Sequence, residues 1–295
     1  MSALHRPVYS FLSASPFARP MRKLDLGCGR AAMRWFNRND HVTYENPEGH
    51  TFSLYLRGGT GTFRLDGTHM SGWPGACCLM PHGQSSTWEI TSPFEFVHLY
   101  LPDREARRLF AETFDRDARL MSLPELTFAD RPELAASLRL LAKAAEAGDP
   151  LLGEEAMAEI VRRAFADSRP VGTLKGGLAP HARRRVTEFI EAGLGGSLRL
   201  RELAEIAHLS EFHFQRSFAA SLGVSPSAWI AHRRIERART LLRAGEPIAG
   251  VAVACGYSSQ SHLTRAFRDA TGRTPAAYRA LIDGARRMEE PVSSV

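Results

Sequence analysis

The chain has 295 residues, 44% of them hydrophobic and 24% charged, enough for two ordinary soluble domains. It holds no run of about 18 apolar residues and no clear apolar leader, so neither a membrane partner nor a signal peptide is expected. The net charge of +6 is uneven: residues 180–287 carry seventeen arginines, no lysine and nine acids, a charge of +8, so a polyanion partner is expected at that end.

The first stretch to suggest chemistry is RKLDLGCGRAA, from Arg22 to Ala32. Asp25, Gly27 and Gly29 resemble the nucleotide loop of an S-adenosylmethionine-dependent methyltransferase, with Glu45 at the distance of a ribose contact. Ala31 occupies the next glycine position, and such a loop must join a strand to a helix within a parallel sheet. Short strands follow instead, so the stretch is expected to be the entry loop or first strand of a barrel, with no cofactor. Cys28 belongs to it. With Cys77, Cys78 and Cys255 it forms no CxxC pair, which argues against a disulfide framework or zinc site and for the cytoplasm.

Residues from about 42 to 101 read as strands, as in HTFSLYLRGG and FEFVHLYLP, bounded by Gly and Pro. Asp66-Gly67 predicts a hairpin with a type I′ turn. Several short strands without intervening helices indicate a sandwich or barrel. Alternation places Phe96, His98 and Tyr100 on one strand face and Trp88 and Ile90 on another. Trp88, Phe96, His98 and Tyr100 are therefore candidate ligand-binding residues, with His98 the polar handle; a plain packed core fits the same pattern.

After residue 102 the period becomes helical in REARRLFAETF, PELAASLRLLAKAAEA and GEEAMAEIVRRAFADS. Leu134, Leu138 and Leu141 form a stripe suited to homodimerisation or to an intramolecular interface. The Gly/Pro-rich RPVGTLKGGLAP then predicts a linker and a domain boundary.

The last third contains an internal repeat at an offset of 49 residues. SEFHFQRSFAASLGVSPSAW from Ser210 matches SQSHLTRAFRDATGRTPAAY from Ser259, pairing Ser210 with Ser259, His213 with His262, Arg216 with Arg265, Phe218 with Phe267 and Trp229 with Tyr278. Each copy has a helix-turn-helix layout, with Ser210 and Ser259 capping the second helix. Phe214, Phe218 and Leu222 form the inward stripe of the first copy, Leu263 and Phe267 that of the second. Phe212, Gln215, Arg216 and Ala219 then face outward in one copy, and Gln260, Ser261, Thr264, Arg265 and Arg268 in the other. Arg suits guanine, Gln adenine, and an apolar ring the thymine methyl. Between the copies, a helix from Ser225 to Gly245 is expected to form a rod of roughly 28 Å, against about 34 Å between successive major-groove faces.

Over about residues 181–283 the sequence resembles the AraC/XylS family of bacterial transcription regulators, and IAGVAVACGYSSQSHLTRAFRDATGRTPAAYR follows the family signature closely. The resemblance implies seven helices, two helix-turn-helix motifs on a long connecting helix, and DNA contacts from the outward positions named above. Ala207 takes the place of Gly256, and Arg199 stands where many members place a capping Ser or Thr. The strand-rich region resembles the cupin-like domain of such regulators: Gly75, Pro81 and Gly83 in GACCLMPHGQSS fit the second cupin motif. Ser86 stands where metal-binding cupins place a histidine, no HxH pair supplies the first motif, and the histidines at 41, 50, 69, 82 and 98 are scattered, so no metal is expected.

The expectation is an α+β protein. Residues 1–102 would form a cupin-like sensing barrel, 103–170 a helical segment, 171–180 a linker and 181–287 an AraC-type DNA-binding domain. Its partners would be double-stranded promoter DNA, a small-molecule effector, a second copy of itself and, if it activates, RNA polymerase. Catalysis is not expected; the alternative is cupin-type or methyltransferase-type activity in the barrel.

Overall fold

The structure is a computed structural model and describes residues 6–67, 70–168, 174 and 176–289. His69 and residues 171–173 and 175 of the linker expected at 171–180 lie outside the described residues. The chain divides into two compact units, within residues 1–173 and 174–295.

The first unit opens with α1 (Val8–Ala14), then β1 (Arg19–Asp25), β2 (Ala31–Asn37), β3 (Asp40–Tyr44), β4 (His50–Arg57), β5 (Thr62–Arg64), β6 (Cys77–Met80), β7 (Ser86–Ile90) and β8 (Phe94–Leu101). α2 (Asp103–Phe114), a 3-10 turn at Ala118–Leu120, β9 (Leu126–Ala129), α3 (Pro132–Ala147) and α4 (Pro150–Phe165) complete it. All strand pairings are antiparallel; six strands form one sheet in the order β1-β2-β8-β4-β6-β9 and three form another, β3-β7-β5. This is the α+β class expected.

Between its edge strands the large sheet is buried on both faces, and the period-2 geometry of a strand divides its side chains between two cores. On β8, Phe94, Phe96 and Tyr100 face the interior between the sheets, while Val97, Leu99 and Leu101 face the helices. On β4, Phe52 and Leu54 join the helix side and Tyr55 the interior; β6 sends Cys77 and Leu79 one way, Cys78 and Met80 the other. Leu134, Leu138 and Leu141 of α3 lie in the helix-side core, at most 6% exposed. The stripe offered for dimerisation is therefore covered by the protein's own sheet, the intramolecular alternative.

Three sequence expectations need correction. Strands begin at Arg19, ahead of the run expected from about 42, and RKLDLGCGRAA, expected as an entry loop or first strand, holds the end of β1, the turn and the start of β2, an antiparallel hairpin. Its turn is filled from within: Gly27 N–H donates to Asp25 Oδ1 (2.8 Å), and the Arg30 guanidinium donates to the carbonyls of Gly27 and Leu26 (3.0 and 2.6 Å). Gly27, Cys28 and Gly29 have φ of 75°, 52° and 77°, so the glycines serve a tight reversal. No parallel strand–loop–helix is present there for a methyltransferase loop. Second, Asp66 and Gly67 are not left-handed, so their turn is not type I′; Asp66 instead accepts from Arg64 and from Thr87 N–H. Third, β9 interrupts the helical run to pair with β6.

The second unit holds α5 (Pro180–Gly193), α6 (Leu200–Ile206), α7 (Glu211–Leu222), α8 (Pro226–Arg243), α9 (Ile248–Ala254), α10 (Gln260–Thr271) and α11 (Pro275–Glu289). Phe214, Phe218, Leu263 and Phe267 are fully buried. The repeat is visible in the packing: Phe218 meets Trp229 with ring centres 6.3 Å apart, and Phe267 meets Tyr278 at 5.3 Å, both edge-on. The eighteen residues of α8 make a rod of about 27 Å. Ser225 caps it, accepting from Ala228 N–H, with Pro226 in the first turn.

Candidate nucleic-acid interface

Each motif holds its second helix by the same device. Ser210 Oγ accepts the His213 N–H at 3.4 Å, and Ser259 Oγ the His262 N–H at 3.1 Å. The first helix of each motif ends in matching bonds: Leu209 N–H reaches Ala204 O and Tyr257 N–H reaches Ala252 O. Their left-handed residues are His208 (φ 55°) and Gly256 (φ 71°). Ala207, at φ −84°, is a right-handed cap, so His208 and not Ala207 is the counterpart of Gly256. The offset is 48 residues before the turn and 49 after it; Ser258 is the extra residue. Arg199 makes no side-chain cap, but its N–H donates to Glu202 Oε2 (3.1 Å), which secures the start of α6.

The outward positions separate cleanly. On α7, Phe212 is 70% exposed, Gln215 and Arg216 are exposed, and Ala219 is half-buried. On α10, Gln260, Ser261, Arg265 and Arg268 are exposed and Thr264 is half-buried. The arginines fall into two groups. Several tie the unit together: Arg233 pairs with Glu191 (2.6 Å), Arg239 with Glu236 (3.0 Å), and Arg234 donates to the carbonyls of Leu194 (3.0 Å) and Gly196 (2.7 Å). The side chains of Arg265 and Arg268 make no ion pair or hydrogen bond among the described residues, and that of Arg216 makes only a stacking contact, 5.8 Å from the centre of the Phe212 ring. Guanidinium groups left unpaired on two exposed helices are donors available to an outside acceptor, and base edges and phosphates match them.

In the barrel, Trp88, Phe96 and His98 line a cavity of about 30 Å³ together with Leu12, Ser53 and Thr62. Tyr100 lies on the same strand face but outside the lining. Its hydroxyl is engaged: Trp35 Nε1–H donates to it (2.9 Å), and it lies 3.0 Å from His98 Nδ1, to which it can donate its own proton. Burial pushes the His98 pKa down to about 3, so the ring is neutral near pH 7. Ser86 occupies the cupin ligand position facing inward, where its Oγ accepts the Trp88 indole N–H at 2.8 Å. Gly75 (φ 99°) and Gly83 (φ 76°) of that motif are turn residues. Among the described residues no three His, Cys, Asp or Glu side chains converge on a common point. His50 instead clasps Asp103 (3.0 Å) and accepts the His82 N–H.

Ser53 and Thr62 were not signalled by apolar alternation, because that pattern marks large side chains. Both are 1% exposed and line the cavity; the Thr62 hydroxyl lies against that of Tyr55, while the Ser53 hydroxyl has no hydrogen-bond partner among the described residues. A serine in the inward register of HTFSLYLR, between Thr51 and Tyr55, was the one available sign.

A family model described as a helix-turn-helix domain matches residues 203–281, and one described as an AraC-like ligand binding domain matches residues 35–161. The HTH-type transcriptional regulator RipA of Corynebacterium glutamicum is 36% identical over 128 residues, 43% of this chain and 38% of that protein. The probable transcriptional regulator LumQ of Photobacterium leiognathi is 31% identical over 98 residues, 33% of this chain and 40% of that one. The chain thus spans about two fifths of the length of these relatives. The solved DNA-binding domain of AdpA, in complex with a target DNA, is 31% identical and aligns with 37% of this chain and 98% of its own, at a TM-score of 0.35.

Proposed function

Because the chain belongs to the AraC family of transcriptional regulators, with an AraC-like ligand binding domain ahead of its helix-turn-helix domain, we propose that it binds promoter DNA sequence-specifically and answers to a small molecule in its barrel. The observation that carries the DNA reading is the pair of capped helices, α7 and α10, whose outward arginines lack acidic partners among the described residues while other arginines of the same unit are engaged. On this reading α7 reads one major-groove segment through Phe212, Gln215 and Arg216. α10 reads another through Gln260, Ser261, Thr264, Arg265 and Arg268. The protein acts in the cytoplasm, as a homodimer, and contacts RNA polymerase where it activates. No enzymatic step is proposed; RipA and LumQ are named as regulators.

The test is binding of the full chain to promoter fragments. Arg216→Ala and Arg265→Ala should each weaken specific binding by about 1–3 kcal/mol. A double variant that binds as tightly as the unaltered protein sinks the contact assignment.

A second reading, a regulator without effector, is favoured by the size of the cavity. About 30 Å³ holds a water molecule, whereas small-molecule sites run to about 300–1,000 Å³. The Ser53 hydroxyl, unpaired among the described residues on the cavity lining, favours a ligand instead, since a buried polar group without a partner costs about 1–3 kcal/mol. Thermal-shift screening of uncharged metabolites separates the two. A ligand that binds only the native state raises the melting temperature, and that rise should shrink in Ser53→Ala.

A further inference from the structure

The two outward helix faces are not chemically alike. At the second residue of the helix α7 carries Phe212, and at the equivalent place α10 carries Ser261. A phenyl ring 70% exposed at the tip of a helix is an unusual surface feature, since large apolar groups gain by leaving water. Phe212 stands one turn before Arg216, and positions i and i+4 share a face. The Arg216 guanidinium lies 5.8 Å from the ring centre, so ring and cation form a stacked pair with no acidic group attached. On α10 the partner arginine is kept, as Arg265, and the ring is absent.

Resting on the DNA-binding reading above, we infer that Phe212 and Arg216 act as one composite reader of a thymine beside a guanine, the ring against the thymine 5-methyl and the guanidinium on guanine O6 and N7. Chemistry assigns each half. In the major groove, thymine is distinguished by an apolar methyl and guanine by two acceptors that match the guanidinium fork. Stacking holds the long arginine side chain beside the ring, so the two groups meet neighbouring base pairs together. The α10 face has Ser261 beside Arg265 and no ring at that place; the methyl of Thr264 is half-buried three residues further on. The position read through Phe212 is therefore methyl-dependent where its counterpart at Ser261 is not, and the DNA site is asymmetric at that step.

The test is selection of binding sites by the full chain from random duplexes, followed by replacement of each selected thymine with uracil, which removes only the methyl. The unaltered protein should select a motif with a thymine next to a guanine in one half, and uracil there should weaken binding about fourfold, the effect of one buried methyl. In Phe212→Ala the uracil effect should vanish while the guanine preference remains. In Arg216→Ala the guanine preference should go. Thermal melting of Phe212→Ala should match the unaltered protein, because the ring is exposed. Ser261→Phe should create a new uracil-sensitive position in the other half; its absence would overturn the claim that the ring position selects the methyl. Indifference to uracil throughout, or an unchanged uracil effect in Phe212→Ala, would also overturn the inference while leaving DNA binding intact. A selection that enriches no sequence would instead overturn the DNA-binding reading itself.

Discussion

His208 adopts a left-handed backbone at φ 55°, where the second motif uses Gly256 at 71°. An L-residue with a Cβ pays roughly 1–2 kcal/mol in that region. His208→Gly is therefore expected to stabilise the second unit by about 1 kcal/mol, read as a higher denaturant midpoint with unchanged slope. Gly256→Ala should do the reverse, since a Cβ there would lie 2.6 Å from Leu194 O. His98 gives a pH prediction. Its folded pKa of about 3 lies below the ordinary 6.5, so between those values the unfolded chain holds a proton that the folded one does not. The stability it confers is complete above about pH 6.5 and falls as pH drops, by up to about 1.4 kcal/mol per unit. Unfolding of His98→Gln across pH 4 to 7, roughly that window, should show a shallower slope; an unchanged slope would clear His98 of the effect. At this scale the serine caps and buried aromatics were legible because each is local chemistry at fixed spacing. The pairing of Ala207 with Gly256 was misleading, because sequence alignment does not see which residue turns left-handed.

Elements were legible where one periodicity ruled. PELAASLRLLAKAAEA became α3 over Pro132–Ala147, and the seven helices of the second unit follow the family resemblance. β1 was legible only as an entry loop or first strand, because RPMRKLD lies at a sheet edge and is exposed at all but Leu24, so it shows no alternation. α3 shows the limit of a stripe: apolar spacing tells that a helix is covered, not by what. Leu138 and Leu141 are fully buried against the sheet. Leu138→Ala should cost about 2–5 kcal/mol in unfolding of the first unit, seen calorimetrically. Self-association, measured by sedimentation, should be unaltered; a variant that dissociates without losing stability would restore the dimer assignment. RKLDLGCGRAA has its place in this layer too. Leu24 and Leu26 pack so closely on α4 that a Cβ on Gly153 would come within 2.6 and 2.9 Å of their methyl groups.

Across the whole chain the charge is segregated, +8 in residues 180–287 against a total of +6. Binding to DNA should therefore weaken steeply with salt. If four phosphates are neutralised, affinity should fall on the order of a hundredfold between about 50 and about 200 mM monovalent salt. A flat salt dependence in a titration would contradict a polyanion partner. Composition alone made this segregation legible, whereas the cavity, whose lining comes from α1 and many strands, depends on pairings no local pattern encodes. Ser258 has a consequence for the history of the molecule. The first helices of the two motifs are both 7 residues long and the second helices both 12. A tandem duplication followed by one codon gained or lost accounts for that, placed in an exposed turn where selection tolerates it. Anyone exchanging motifs between the halves must therefore cut on one side of Ser258, or every graft downstream inherits a frame one residue out of step.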